Sequence, residues 1–387
     1  MRSKVEDILL PAAAMLAALL LFGLFVMIGG LNPLEVWLLL FKGAFGDAYS
    51  WQNTLQRAAP LMLTALCVAI PARAGLVVIG GEGALVLGGL AAAALAQALP
   101  AWVAVSAGLA GSVLVCMAAA AAGALWVMLA GWLRQYRGIN ETISSLLLAY
   151  VAIGVFKHLV EGPLRDPASL NKPSSYALAE GLRLGGIAGS EVHWGLAIGV
   201  LACVGAELWL RLTPSGFALR VVGGNMRAAQ LVGLPASGLV LLACALGGAA
   251  AGVAGGVEVA AVHTSANAAL IAGYGYAGIL VAFMARHSPL AVIPVAILFG
   301  GFGAAGSLLQ RRLGMPDASV QVLQGMAFVL ILASEALRGG NWRSWLGSRS
   351  PSSSPSSSSS ALASTSANAS ASPASTASAA TAGKAAP

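Results

Sequence analysis

About ten unbroken apolar runs, most of them close to 20 residues long, pass through this chain and restrict what it can become. About 20 apolar residues are what a helix needs to cross the hydrocarbon of a bilayer. Lipid offers no partner for an exposed backbone N–H or C=O, so spanning segments must be helices or the strands of a closed barrel. Alternating ten-residue strands are absent from the sequence. Of all residues 58% are hydrophobic and 9% charged, against about 25% charged in soluble domains, too few to cover a surface in water. The chain reads as an all-α membrane protein of about ten transmembrane helices.

The runs fall near residues 8–29, 55–71, 76–98, 103–130, 141–160, 194–211, 237–262, 273–285, 289–308 and 319–337. Residues 34–50 read as an interfacial helix, because Trp37, Tyr49 and Trp51 suit the headgroup level. Run 76–98 is glycine-rich and carries Glu82, so a broken or re-entrant helix is expected there. Run 273–285 is too short to span as a straight, complete helix. The first run follows Arg2 and Lys4 but exceeds the apolar core of a signal peptide, and reads as an uncleaved span. A membrane domain is expected over 1–345, with Arg338, Trp342, Arg343 and Trp345 anchoring its end. Residues 346–387 are a Ser/Ala/Pro-rich tail that cannot bury enough apolar surface to fold.

The net charge of +7 would bring nucleic acid to mind in a soluble protein. Here the basic residues sit in short loops and set topology instead. With the N-terminus inside, 13 of the 21 Lys and Arg fall on inside segments, so both termini are expected in the cytoplasm. No G-x-x-x-x-G-K-[ST] phosphate loop, H-E-x-x-H or Cys-x-x-Cys occurs, and the four cysteines all lie in apolar segments. The expectation is no catalytic residue, metal site or cofactor in this chain; if ATP drives it, another subunit binds the ATP.

Five segments carry chemistry. Inside segment 212–236 contains Asn225 as an N-cap, a short helix from Met226 to Val232, Gly233 as its left-handed stop and Pro235 beyond. This is a compact knob whose apolar residues either dock in a partner's groove or lie on lipid. In the first broken run, Glu82 among Gly80, Gly81 and Gly83 either lines a passage or holds helices together. Asn140 caps a helix beginning at Glu141, which is either structural or near the passage. A second short glycine-interrupted run carries Tyr274 and Tyr276, which either stack on a ring or pack. Glu258 is a further charge at membrane depth, with His263 and Asn267 beyond it. Gly248, Gly252 and Gly256 recur every four residues and permit close helix packing. The long segment 161–193 reads either as a contact for an outside partner or as a solvated connector.

Four of these segments, in this order, resemble the bacterial ABC transporter permeases of the branched-chain amino acid, ribose and nucleoside importer family. They are Gly75-Leu-Val-Val-Ile-Gly-Gly-Glu-Gly-Ala84, Gly138-Ile-Asn-Glu-Thr-Ile-Ser-Ser-Leu-Leu-Leu-Ala149-Tyr150, Gly216-Phe-Ala-Leu-Arg-Val-Val-Gly-Gly-Asn225 continued to Leu234, and Gly273-Tyr-Gly-Tyr-Ala-Gly-Ile279 continued to Pro289. The likeness is strongest to the nucleoside and simple-sugar branch; Val78, Ala84, Ala149 and Val221 depart from its pattern. It implies a type II, vitamin B12 importer-like arrangement with broken helices in a bacterial inner membrane. The implied partners are ABC ATPase subunits holding ATP and Mg, a second homologous or identical permease, and an extracytoplasmic binding protein. It implies coupling to the ATPase through Gly216, Arg220, Gly223, Asn225, Ala228, Ala229 and Gly233. Nucleosides are the expected cargo and ribose-type sugars the runner-up. The rival is a stand-alone ion-coupled secondary transporter, with Glu82 and Glu258 as ion ligands.

Overall fold

The computed structural model describes residues 4–339 except 107, 170, 171, 188 and 317. The tail, Trp342, Arg343 and Trp345 lie outside the described residues. Fourteen α-helices occur among those described: α1 (Lys4–Ile28), α2 (Pro33–Phe45), α3 (Ala48–Ala72), α4 (Gly81–Ala98), α5 (Ala101–Ser106), α6 (Gly108–Arg137), α7 (Glu141–Glu161), α8 (Gly195–Leu212), α9 (Pro214–Gly224), α10 (Met226–Leu231), α11 (Ala236–Val257), α12 (Tyr274–Met284), α13 (Pro289–Leu313) and α14 (Ala318–Gly339). Strand pairing among the described residues is limited to three isolated bridges. Seven helical stretches are long and apolar enough to cross a membrane: α3, α4, α6, α7, α8, α11 with its extension to His263, and α13. The stretches Ala13–Ile28, Ala268–Met284 and Ala318–Ser334 are apolar but shorter, so length and composition support seven spans where about ten were expected.

Glycine sets the packing around α11. A methyl added at Gly123 of α6 would fall 2.7 Å from Gly252 Cα, one at Gly248 2.7 Å from Val127 Cβ, and one at Gly256 2.8 Å from Ala119 Cβ. Backbone-to-backbone approach of this kind supplies the van der Waals contact that lipid cannot displace. On the other side of α11, Gly247 lies against Cys67 and Pro71 of α3. The expected interfacial helix is α2, and it does more than lie at a surface. Val36, Leu40, Gly43 and Ala44 are buried, and a methyl at Gly43 would fall 2.8 Å from Ala305 Cα of α13.

Two helices are interrupted, from opposite ends of the bundle. After α3 the chain turns at Gly75 (φ +78°) and runs without helix to Gly80, where α4 begins. At the far end α11 loosens into a π-helical turn, Glu258–His263, and the chain returns without regular α-helix until α12 starts behind Gly273 (φ +81°). Segment 162–194 covers that second interruption. Ser175 N–H donates to Ala266 O (2.8 Å), Leu178 N–H to Thr264 O (2.7 Å) and Leu184 N–H to Ala260 O (3.0 Å). These bonds pair carbonyls that an α-helix would have satisfied itself. Leu178 and Leu182 are buried while most of the other described residues of the segment are at least partly exposed, so it is a cover pinned at a few points.

Candidate functional site

The N-termini of α4 and α12 meet, and Glu82 joins them. Its side chain is completely buried and accepts the Gly273 N–H (2.9 Å) and the Gly275 N–H (2.6 Å), both unsatisfied within the first turn of α12. An acceptor carrying negative charge suits the positive end of a helix. A methyl at Gly275 would collide with the Glu82 backbone, so only glycine allows this approach. The Thr64 hydroxyl donates to Tyr274 O (3.0 Å), tying the same turn to α3. Thr64 lies eight residues before the end of α3, roughly 12 Å along its axis, so the junction sits within the bundle and not at its face.

The segment leading into α4 is held by α7. The Thr142 hydroxyl donates to Val77 O (2.8 Å), and the Ser145 hydroxyl accepts the Ile79 N–H (3.0 Å). Asn140 caps α7 as expected, accepting from Thr142 N–H (2.9 Å) and Ile143 N–H (3.3 Å). Glu141 is buried and pairs with Arg134 (3.2 Å). The three glycines serve three neighbours. A methyl at Gly80 would fall 2.9 Å from Ser145 O, and one at Gly83 2.7 Å from Ala149 Cα, whereas one at Gly81 would meet Gly275 Cα at 3.7 Å. Glu258, on the π-helical turn, is buried and faces His263 Nε2 at 3.4 Å.

Beside the junction is a cavity of about 570 Å³ bounded by α3, α12, α13 and α14, with Leu146 of α7 and Ile79 of the α4 lead-in also in its wall. Tyr274 and Tyr276 line it together with Gly273. Glu82, Gly80, Gly81, Gly83, Asn140, Glu141 and Glu258 are not among its lining residues. They organise the framework behind that wall. Three lining side chains escaped the sequence reading: Arg57, Gln321 and Gln324. The available signal was an arginine inside an apolar helix, which loop-charge accounting assigned to topology, and two amides three residues apart on another.

A second cluster lies where α3 ends. Thr213 caps α9 (Gly216 N–H to Oγ1, 3.1 Å) and Asn225 caps α10 (Ala228 N–H to Oδ1, 3.0 Å), while Gly233 takes the left-handed stop at φ +85°. Leu231 and Val232 protrude, 90% and 79% exposed, and Arg220, Arg227 and Ala228 are exposed with them. Ala229 is fully buried and a methyl at Gly216 would fall 2.7 Å from Leu210 Cα, so these two shape the knob from within and present no surface. Gly223 presses on the Arg73 carbonyl. The Arg73 guanidinium in turn donates to His287 O from Nε (3.1 Å) and Nη2 (2.7 Å), across the tight turn between α12 and α13 where Arg286 and His287 have φ of 53° and 56°. Burial and the neighbouring Arg73 push the His287 imidazole down to about 4.

The family model described as branched-chain amino acid transport system / permease component matches residues 50–332, which hold the junction, the cavity and the knob. The chain belongs to this family. It is 32% identical to a glucose ABC transporter permease protein of Haloferax volcanii over 84% of its own length and 87% of that protein's. It is 26% identical to a guanosine ABC transporter permease protein of Bacillus subtilis, over 87% and 97% of the two chains. A nucleoside ABC transporter permease protein of Lactococcus lactis is likewise 26% identical, over 84% and 90%. As a member of this permease family, the protein is a multi-pass membrane transport component and not an enzyme.

Proposed function

We propose that this chain is the membrane-spanning subunit of an ATP-binding cassette importer for a nucleoside. In this reading about ten helical passes, counting the three shorter apolar stretches, sit in the bacterial inner membrane in a type II arrangement with both termini cytoplasmic. A second permease copy or homologue, ATPase subunits carrying ATP and Mg, and an extracytoplasmic binding protein complete the transporter. The knob faces the cytoplasm and its apolar tip, Leu231 and Val232, seats on the ATPase. Segment 162–194 then faces outward, where a binding protein delivers cargo.

The observation that carries the reading is the continuous contact from knob to cavity. Gly223 bears on Arg73, Arg73 grips the turn that ends α12, and the other end of α12 is the cavity wall fixed by Glu82. A push on the knob therefore bears on the turn at one end of the short helix that lines the cavity, while Glu82 holds its other end. Guanosine and nucleoside permeases among the relatives favour nucleoside cargo; the glucose permease relative favours the simple-sugar alternative.

The knob reading is tested by Leu231→Asp with Val232→Asp. Both side chains are exposed, so the variant should reach the membrane at the wild-type level and melt unchanged, yet lose ATPase copurification and ATP-dependent uptake. Undiminished uptake would sink the coupling role. Uptake driven by an ion gradient in liposomes holding this chain alone would replace the importer with the secondary transporter.

A further inference from the structure

The cavity is chemically lopsided. Its lining is aromatic, aliphatic and glycine apart from the two tyrosine hydroxyls and three strongly polar side chains, Arg57, Gln321 and Gln324. Gln321, Gln324, Gly325 and Phe328 fall at i, i+3, i+4 and i+7 on α14, one stripe of that helix. Arg57 lies on α3 with its Nε donating to Asn53 Oδ1 (3.4 Å), which orients the guanidinium and leaves its terminal nitrogens free of that bond. Gly303 of α13 lies beside it: a methyl there would sit in ordinary contact, 3.5 Å from the Arg57 Cδ and 3.7 Å from Nη1. Among the described residues no carboxylate lies within ion-pair distance of Arg57. The buried Glu258 feels its charge but does not contact it, and a cation in a spanning helix without a contact ion pair is expensive and is kept where it serves a ligand or a passage.

We propose that Arg57, Gln321 and Gln324 are the specificity-determining side chains of the cavity, pairing with the hydroxylated end of a nucleoside while the aromatic and aliphatic remainder holds its base. The proposal rests on the transport reading above and deepens it. The volume falls in the range of small-molecule sites, and a mostly apolar wall with a few convergent polar groups is their usual make-up. A free pentose or hexose carries hydroxyls on every side, and several would face apolar wall without a partner, a penalty for each. A nucleoside divides more nearly as the cavity does: its ribose carries the hydroxyls, and its base is a flat ring whose faces stack on tyrosine or phenylalanine and whose polar groups lie only along its edge. The guanidinium supplies donors only, and each glutamine amide both donates and accepts, which suits adjacent hydroxyls that do the same.

The test uses the whole transporter in proteoliposomes, this chain with its ATPase and binding protein. Uptake of guanosine, 2′,3′-dideoxyguanosine, ribose and glucose is compared for wild type, Gln321→Leu with Gln324→Leu, and Arg57→Gln. The binding protein is common to all, so a changed ratio reports on this chain. Wild type should move guanosine, and the double glutamine variant should need about tenfold more guanosine for half-maximal uptake while losing its preference over the dideoxy analogue. Binding-protein-stimulated ATP hydrolysis should persist, which separates lost recognition from a misfolded subunit. Arg57→Gln should weaken guanosine uptake in the same direction. A double variant that transports guanosine with its hydroxyl preference intact would overturn the polar wall and leave the nucleoside importer standing. Wild-type uptake of ribose or glucose without guanosine would overturn both.

Discussion

The two interrupted helices meet N-terminus to N-terminus, yet they are built differently. The lead-in to α4, residues 76–80, is bound by side chains of one long helix: hydroxyls of Thr142 and Ser145 grip its backbone, and Gly80 and Gly83 leave no space against α7. The lead-in to α12 is bound by backbone from segment 162–194, by Glu82 and by Thr64, and one of its sides opens on the cavity. The first interruption is thus chiefly an anchor, reaching the cavity through Ile79, and the second a wall that the anchor positions. Helix ends placed inside a bundle are where transporters bind cargo, and the end with more of its surface on free volume is the better placed to do so.

Removing the anchor's grip should have the largest effect. Glu82→Ala leaves two buried N–H groups of α12 without acceptors, a loss of about 3 kcal/mol. The variant should melt well below wild type in detergent and transport little. Glu82→Gln keeps one acceptor and should recover part of the stability. Equal stability for all three proteins would break the comparison, because α12 would then be held by something other than Glu82.

The next contrast places the same added bulk on either side of the junction. Gly83→Leu drives a side chain into the Ala149 backbone and should destabilise by about 1–3 kcal/mol. Ala277→Leu adds its atoms on the cavity wall, where there is room. It should melt near wild type while blocking uptake. If Ala277→Leu is the less stable of the two, the second helix is as tightly packed as the first and the distinction fails.

Much of this was legible in the sequence because local chemistry decided it. Asn140 and Asn225 cap the helices expected of them, and Gly233 stops α10, since caps and left-handed stops depend on a few adjacent residues. The glycine repeat on α11 likewise announced close packing. What Glu82 touches was not legible. A carboxyl group in a glycine-rich apolar run is equally consistent with a passage and with a clamp, and the choice depends on Gly273 and Gly275, some 190 residues away. The same holds for Ala229, whose burial follows from the fold of α9 and α10 and not from its neighbours in sequence. Arg57 was hidden by a rule that counts loop charges, although its run places it inside a helix.

The smallest expected effect reads the latch that ties the end of α12 to the end of α3 at the knob face. His287 closes the turn after α12, its carbonyl is held by Arg73, and its ring packs edge-on to Phe283 at 4.8 Å. Its imidazole titrates near 4 in the folded protein, below the value of about 6.5 for a free histidine. As pH falls through that window the unfolded chain takes up a proton that the folded chain refuses, so folding loses stability, and the loss levels off below the folded value. His287→Asn removes the titrating group while tolerating the left-handed backbone at this position. Melting curves from pH 7 to about 4.5 should therefore slope less steeply for the variant than for wild type. Some slope should remain, since burial also lowers the titration of His193. Parallel slopes would show that the folded protein does not keep a proton off this ring, and that burial at the turn is not what sets its titration.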